Sequence, residues 1–223
     1  MEIHSHFHRQ MREIKDDLLG MAGLVEAAIQ DAYESLIHRK NALAQSVIDG
    51  DRRIDLLENE IDEKAITLLA TQQPVAVDLR FLSAAIKICS FLERMGDQAV
   101  NLAWRSLTLN EMDPMEISGR LGQLYDIARE MVHNSLDAFA KGNPEEARKV
   151  IARDDEADKL TRLFLEDNIR WMNRESRVIP RGVELILASR HLERIADGAT
   201  NIAEETVFQV EGEIIRHKGS VTK

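Results

Sequence analysis

An all-α fold of six helices, forming two similar three-helix bundles related by internal duplication, is predicted by three features of this 223-residue sequence. Apolar residues recur at three- and four-residue spacing almost throughout, while aromatics are only 4% and strand-type alternation is hard to find. The breaks are few and well placed: Pro74, Pro114, Pro144, Pro180 and the polar joint His38-Arg39-Lys40-Asn41 cut the chain into six periodic segments. The third feature is self-similarity. Leu92-Glu93-Arg94-Met95-Gly96-Asp97-Gln98-Ala99-Val100-Asn101-Leu102-Ala103 overlays Leu192-Glu193-Arg194-Ile195-Ala196-Asp197-Gly198-Ala199-Thr200-Asn201-Ile202-Ala203 with seven of twelve identical. A repeated three-helix unit accounts for this.

The first helix, over 10–38, ends at the polar joint. The second, over 43–71, follows Asn41, stops before Pro74 and carries its apolar face on Ile54, Leu57, Ile61 and Leu68. The third, over 77–109, has a core stripe of Ile88, Leu92, Met95, Ala99 and Leu102, and runs to the joint Glu111-Met112-Asp113-Pro114. That joint, with Gly119 and Gly122 just beyond it, divides a first bundle, residues 1–112, from a second, residues 113–223. The fourth helix covers 116–141. The fifth, over 145–174, follows Asn143 and Pro144 as the second follows Asn41. The sixth covers 181–211, after Pro180.

Charge narrows the function. The 39 acidic residues outnumber the 29 Lys and Arg, giving a net charge of −10. Nucleic acid and anionic membrane surfaces are poor partners for such a chain, because clustered cations supply most of the affinity in both cases. A single cysteine, Cys89, forms no internal disulfide and suits a reducing compartment. Met-Glu-Ile-His-Ser-His lacks the basic start and apolar run of an export signal, and no segment is apolar for long enough to span a bilayer. A cytoplasmic protein without membrane insertion is expected.

Four carboxylate pairs at i,i+4 stand out: Asp51/Asp55, Glu93/Asp97, Asp154/Asp158 and Glu193/Asp197. Such residues stack on one helix face with Cβ atoms about 5–6 Å apart. Glu93, Asp97 and Asn101 span only about 80° of helix surface, on a different side from the core stripe, so the row is expected to point outward. Asp51, Asp55, Glu58 and Asp62 form a similar line on the second helix. Like charges at this spacing cost roughly 0.2–0.5 kcal/mol per pair on an isolated helix. A cation reverses the sign, and an all-oxygen donor set suits Mg²⁺, Mn²⁺ or Ca²⁺, or oxidised iron in a multinuclear cluster bridged by carboxylates. Asn101 and Asn201 are candidates to add carbonyl ligands or to orient the others. Solvated faces of charged helices are the alternative, and recurrence of Glu-Arg-x-x-Asp-x-x-x-Asn in both halves weighs against it. Arg94 and Arg194, one position past the glutamates, are expected to form salt bridges between helices, with an anchor for a phosphorylated or acidic partner as the alternative.

Other candidates carry less. A carboxylate di-iron oxygenase needs two inward Glu-x-x-His motifs, and only Glu130-Met131-Val132-His133 fits. His4, His6 and His8 are read as a mobile end, Cys89 as a small core residue, and Trp104 and Trp171 as packing or dimer contacts. No Gly-rich phosphate loop follows a strand, so nucleotide binding is not expected.

Met21-Ala22-Gly23-Leu24-Val25-Glu26, Asp51-x-x-Ile54-Asp55, Gln73-Pro74-Val75-Ala76-Val77-Asp78-Leu79-Arg80 and the two Leu-Glu-Arg-x-x-Asp segments together resemble the PhoU family of phosphate-specific transport accessory proteins. The resemblance runs from about residue 5 to 212. It implies a cytoplasmic, usually dimeric, non-catalytic protein of two three-helix bundles. It also implies restraint of phosphate-starvation signalling through contact with a sensor histidine kinase and the ATPase subunit of a phosphate ABC transporter. In some members the E(D)xxxD motifs hold multinuclear iron or other divalent cations. Carried over by position, the ligands are Asp51, Asp55, Glu93 and Asp97 in the first bundle and Asp154, Asp158, Glu193 and Asp197 in the second. One departure is Gly198, where the family often has His after Ala-Asp; an imidazole is then expected to be missing from the second site. A helical adaptor without metal is the rival reading.

Overall fold

The computed structural model describes residues 2–114 and 116–215, with side chains from His6 onward. Seven α-helices run in the order α1 (Glu2–Ile37), α2 (Asn41–Gln72), α3 (Ala76–Asn110), α4 (Gly119–Lys141), α5 (Pro144–Ile151), α6 (Asp154–Arg174) and α7 (Ile179–Glu211), with one 3₁₀ turn at Ser176–Val178. No strand occurs among the described residues. Helices α1, α2 and α3 pack on one another, and α4, α5 and α6 pack on α7, giving the duplicated bundles that the periodicity predicts.

Two boundaries differ from expectation. The predicted fifth helix breaks at Ala152 and Arg153 into α5 and α6. No Pro or Gly marks the break. At the break the Arg153 guanidinium meets Glu130 of α4 at 2.8 Å and Glu156 of α6 at 3.4 Å. The first helix begins at Glu2 rather than near 10, so His6 and His8 are helical, and His6 shares a hydrogen bond with Gln10 at 2.9 Å. The side chain of His4 lies outside the described residues.

The ends follow local chemistry. Ser118 caps α4, and Asn143 caps α5 by accepting from the amides of Glu145 and Glu146, with Pro144 in the first turn. Gly142 and Gly212 close α4 and α7 at φ +61 and +76, in the left-handed region where glycine carries no Cβ penalty. Arg39, itself at φ 54, uses its guanidinium to satisfy the carbonyls of Leu109, Asn110 and Met112 at the end of α3. The polar joint after α1 thus finishes a different helix.

Ile88, Leu92, Met95, Ala99 and Leu102 are all buried, as are Ile54, Ile61 and Leu68, while Leu57 packs partly buried against the same core. Cys89 is fully buried, and burial pushes its thiol pKa up. The bundles join through their third helices, which run antiparallel: Lys87 meets Glu205 at 3.2 Å, Arg105 meets Glu184 at 2.9 Å, and Arg80 Nε donates to the Gln209 carbonyl at 3.1 Å. Helices α1 and α4 repeat the antiparallel contact, with Lys15 donating to the Ala140 carbonyl at 2.6 Å and the chain's two tyrosines, Tyr33 and Tyr125, stacked at 3.8 Å. Two bundles related in this way place their acidic rows in matching positions.

Candidate functional site

Each row forms where the second helix of a bundle lies beside the third. In the first, the α2 pair Asp51/Asp55 meets the α3 pair Glu93/Asp97. Gly96 permits the approach: a Cβ there would come 3.1 Å from Ile54 Cδ1 and 3.6 Å from Asp51 Oδ1. In the second row Asp154 and Asp158 of α6 face Glu193 and Asp197 of α7, and Thr200 Oγ1 donates to Asp154 Oδ1 at 3.0 Å. All eight carboxylates are half-buried or exposed, and none lies in the apolar core. The structure therefore joins the predicted residues into two groups of four, projecting outward.

The electrostatics record crowding. Burial, then Asp97, Glu58 and Asp55, push Glu93 up to about 7. Asp51 is raised by burial and then by Asp55 and Asp97, and Asp97 by burial and then by Asp55. In the second row, desolvation by the surrounding protein, followed by Asp154, Glu193 and Asp158, carries Asp197 to about 6 even though water reaches its side chain. Asp158 moves the same way, from burial and then Asp154 and Glu193. Each row thus favours uptake of positive charge, as a proton or as a cation.

The rows as they stand are not closed cages. Among the described residues no group of three or more His, Cys, Asp or Glu side chains is arranged to hold a metal ion. Unneutralised carboxylates at this spacing repel one another. The donor chemistry nonetheless fits a hard cation: the ligand set is all oxygen, and Asp62 Oδ1, in line with Asp51, Asp55 and Glu58, is buried without a hydrogen-bond partner.

Several expectations change. Arg94 and Arg194 stay exposed and make no ion pair within 4 Å among the described residues; they act on the rows through space, Arg94 opposing the rise of Glu93 and Arg194 that of Asp197. Asn101 and Asn201 each donate Nδ2 to the carbonyl of the aspartate one turn earlier, at 2.8 Å, a bond that engages the amide nitrogen and not the Oδ1 oxygen. Glu130 and His133, the lone Glu-x-x-His, meet different partners, Arg153 and Glu26. Gly198 does not face the row: a Cβ there would come 2.7 Å from Met95 Cγ of α3. This departure from the family pattern lies at the seam between the bundles. Trp171 packs partly buried against the core, and Trp104 is 46% exposed.

The family described as PhoU domain matches residues 18–105 and 121–206, once in each bundle. The chain belongs to the PhoU family. A PhoU homologue of the phosphate-specific transport system from Aquifex aeolicus is 39% identical over 210 residues, covering 94% of this chain and 95% of its own length. The counterpart from Caulobacter vibrioides is 35% identical over 208 residues, covering 93% and 90%. Among solved structures, PhoU from Pseudomonas aeruginosa superposes with a TM-score of 0.90 at 35% identity, covering 93% of this chain and 100% of that one. PhoU from Streptococcus pneumoniae, described as a phosphate transport system regulatory protein, gives 0.88 at 28% identity, covering 94% and 99%. No helix among the described residues is long and apolar enough to cross a membrane.

Sequence reasoning underrated two features of this PhoU protein. Glu58 sits close enough to Glu93 to raise its pKa, and its place in line with Asp51 and Asp55 was the available signal. Arg190 forks onto Glu193, at 3.0 and 2.7 Å; its signal was the i,i+3 spacing.

Proposed function

We propose that this protein is a non-enzymatic, cytoplasmic regulator of phosphate uptake and phosphate-starvation signalling, dimeric and built from repeat units 1–112 and 113–223. It acts stoichiometrically, presenting fixed helix faces to the ATPase subunit of a phosphate ABC transporter and to a sensor histidine kinase. Divalent cations or multinuclear iron, held by Asp51, Asp55, Glu93 and Asp97 and by Asp154, Asp158, Glu193 and Asp197, brace those faces. The carboxylates of the second and third helices in each bundle would hold a cation, which would supply charge neutralisation there.

The observation that carries this reading is the pairing of two outward carboxylate rows, one per repeat, on a chain whose relatives are named as accessory proteins of phosphate-specific transport. The net charge of −10 favours basic patches on both partners and speeds encounter at low salt. The test has two arms. Purified chain is mixed with the transporter ATPase and with the kinase; retention of at least one is expected, and retention of neither overturns the regulatory reading. Elemental analysis of protein purified without chelator is compared with an Asp97→Ala, Asp197→Ala double variant. Metal is expected in the first and depleted in the second, and equal metal in both defeats the ligand assignment.

A further inference from the structure

Where α4 begins, it borders with α6 and α7 a cavity of about 300 Å³, walled by Phe164, Trp171 and Leu185 and edged by Gly119, Asp167 and Asn168. None of the eight row carboxylates lines it. The duplication supplies an internal control. The ion pair of Lys64 with Asp17, at 2.6 Å in the first bundle, recurs in the second as Asp167 with Arg120 at 2.7 Å, with the charges exchanged, and both partners match at a shift of 103. At that shift Ile61, Ala65 and Leu68 become Phe164, Asn168 and Trp171. The first bundle has a groove at the matching place, but Glu13, Glu60, Glu63 and Lys64 edge it, and α1 passes it as unbroken helix. The second bundle brings two aromatic rings, a buried amide and a helix start to the same spot.

Two polar groups on this lining lack protein partners. Asn168 is 5% exposed and donates Nδ2 to the Phe164 carbonyl at 2.9 Å, while its Oδ1 accepts no hydrogen bond among the described residues. Its counterpart Ala65 is fully buried, so the fold needs no amide at that position, and a buried acceptor left unmade costs stability. The second group is the Gly119 amide, the first of α4. Ser118 takes up the amides of Arg120 and Leu121 and leaves that of Gly119, and a Cβ built on Gly119 meets nothing within 4 Å. Charge at the rim cancels: Asp167 is held by Arg120 and Arg170, and Glu116 on the lining balances the second of these cations.

An acceptor, a donor and an aromatic wall without net charge match a planar, uncharged heterocycle with an amino donor beside a ring acceptor. We propose that this cavity binds the base of an adenine nucleoside, stacked on Trp171, with its amino group donating to Asn168 Oδ1 and a ring nitrogen accepting from the Gly119 amide. The missing Gly-rich loop bears on recognition of phosphate and not of a base.

The test uses the full chain carrying Trp104→Phe, which leaves Trp171 as its only tryptophan, in buffer free of phosphate. Adenosine should quench Trp171 emission saturably, and calorimetry on the unaltered chain should give the same affinity. Asn168→Ala installs the first repeat's residue and should weaken adenosine about tenfold. Inosine, whose O6 accepts where adenosine donates, should bind the unaltered chain about tenfold more weakly than adenosine. Trp171→Leu, again the first repeat's residue and read by calorimetry, should also weaken binding; with inosine it decides the matter if Asn168→Ala fails to fold. AMP should match adenosine. No saturation below about 10 mM adenosine, equal binding of inosine, or unchanged affinity in folded Asn168→Ala or Trp171→Leu overturns the proposal. AMP binding about tenfold tighter than adenosine, or displacement of adenosine by inorganic phosphate, places an anion at the α4 N-terminus in place of a base and overturns it as well.

Discussion

Replacing Glu93 with Gln in the metal-free chain should stabilise the fold at pH 8 and leave it unchanged near pH 4.5. Glu93 lies between α2 and α3, and burial followed by Asp97, Glu58 and Asp55 moves its pKa from 4.5 to about 7. An acid whose pKa is higher in the folded than in the unfolded chain holds its proton more tightly when folded. The stabilising contribution is thus complete below pH 4.5 and is lost as pH rises to about 7. At ~1.4 kcal/mol for each tenfold change, a fully enclosed group would lose ~3 kcal/mol over that interval. Solvent reaches this side chain, and screening reduces the expected loss to about 1 kcal/mol. Glutamine keeps the size and discards the titration, so the variant gains about that amount at pH 8, or roughly 2–4 °C in melting temperature for a chain of this length. Urea unfolding followed by circular dichroism, in chelator at both pH values, measures the difference. Equal stability of variant and unaltered protein at pH 8 would show that the row carries no electrostatic strain, and the argument for a cation there would lose its physical basis.

Two further outcomes concern the seam. Gly198→Ala should destabilise the protein despite the better helix propensity of alanine, worth about 1 kcal/mol, because the new methyl meets buried Met95 at 2.7 Å and overpacking of this kind costs about 1–3 kcal/mol. In a Met95→Ala background the same change should cost less, and a double-mutant cycle with no coupling would refute the contact. His191 shares a hydrogen bond with Gln98 at 2.9 Å, and burial, then Arg105 and Arg194, push its pKa down to about 4. Its NMR resonances should remain those of neutral imidazole at pH 5.5, with the contribution to stability lost only as pH falls from 6.5 toward 4; protonation at pH 5.5 would show the seam to be open to water.

Most of the helical layout was legible because helix termini are local chemistry. Asn143 with Pro144 and the glycine at 142 announce their cap and stop in the sequence, and the stripe from Ile88 to Leu102 announces its buried face. The break at 152–153 was not legible, because no Pro or Gly marks it and the ion pair that Arg153 makes there is with Glu130 of another helix. Arg39 is a similar case, finishing α3 from the end of α1. Neither partner is within reach of a local pattern.

Spacing within single helices, and the duplication itself, established that this protein carries four outward carboxylate pairs on two like bundles. Period and polarity alone decide which side of a helix faces water. Only the tertiary structure decided which pairs meet, that Gly96 lets α2 approach α3, that Gly198 faces Met95 across the seam, and that α3 and α7 run antiparallel. Those facts depend on how helix surfaces interlock, and interlocking is a property of two elements at once, which no one-dimensional pattern encodes.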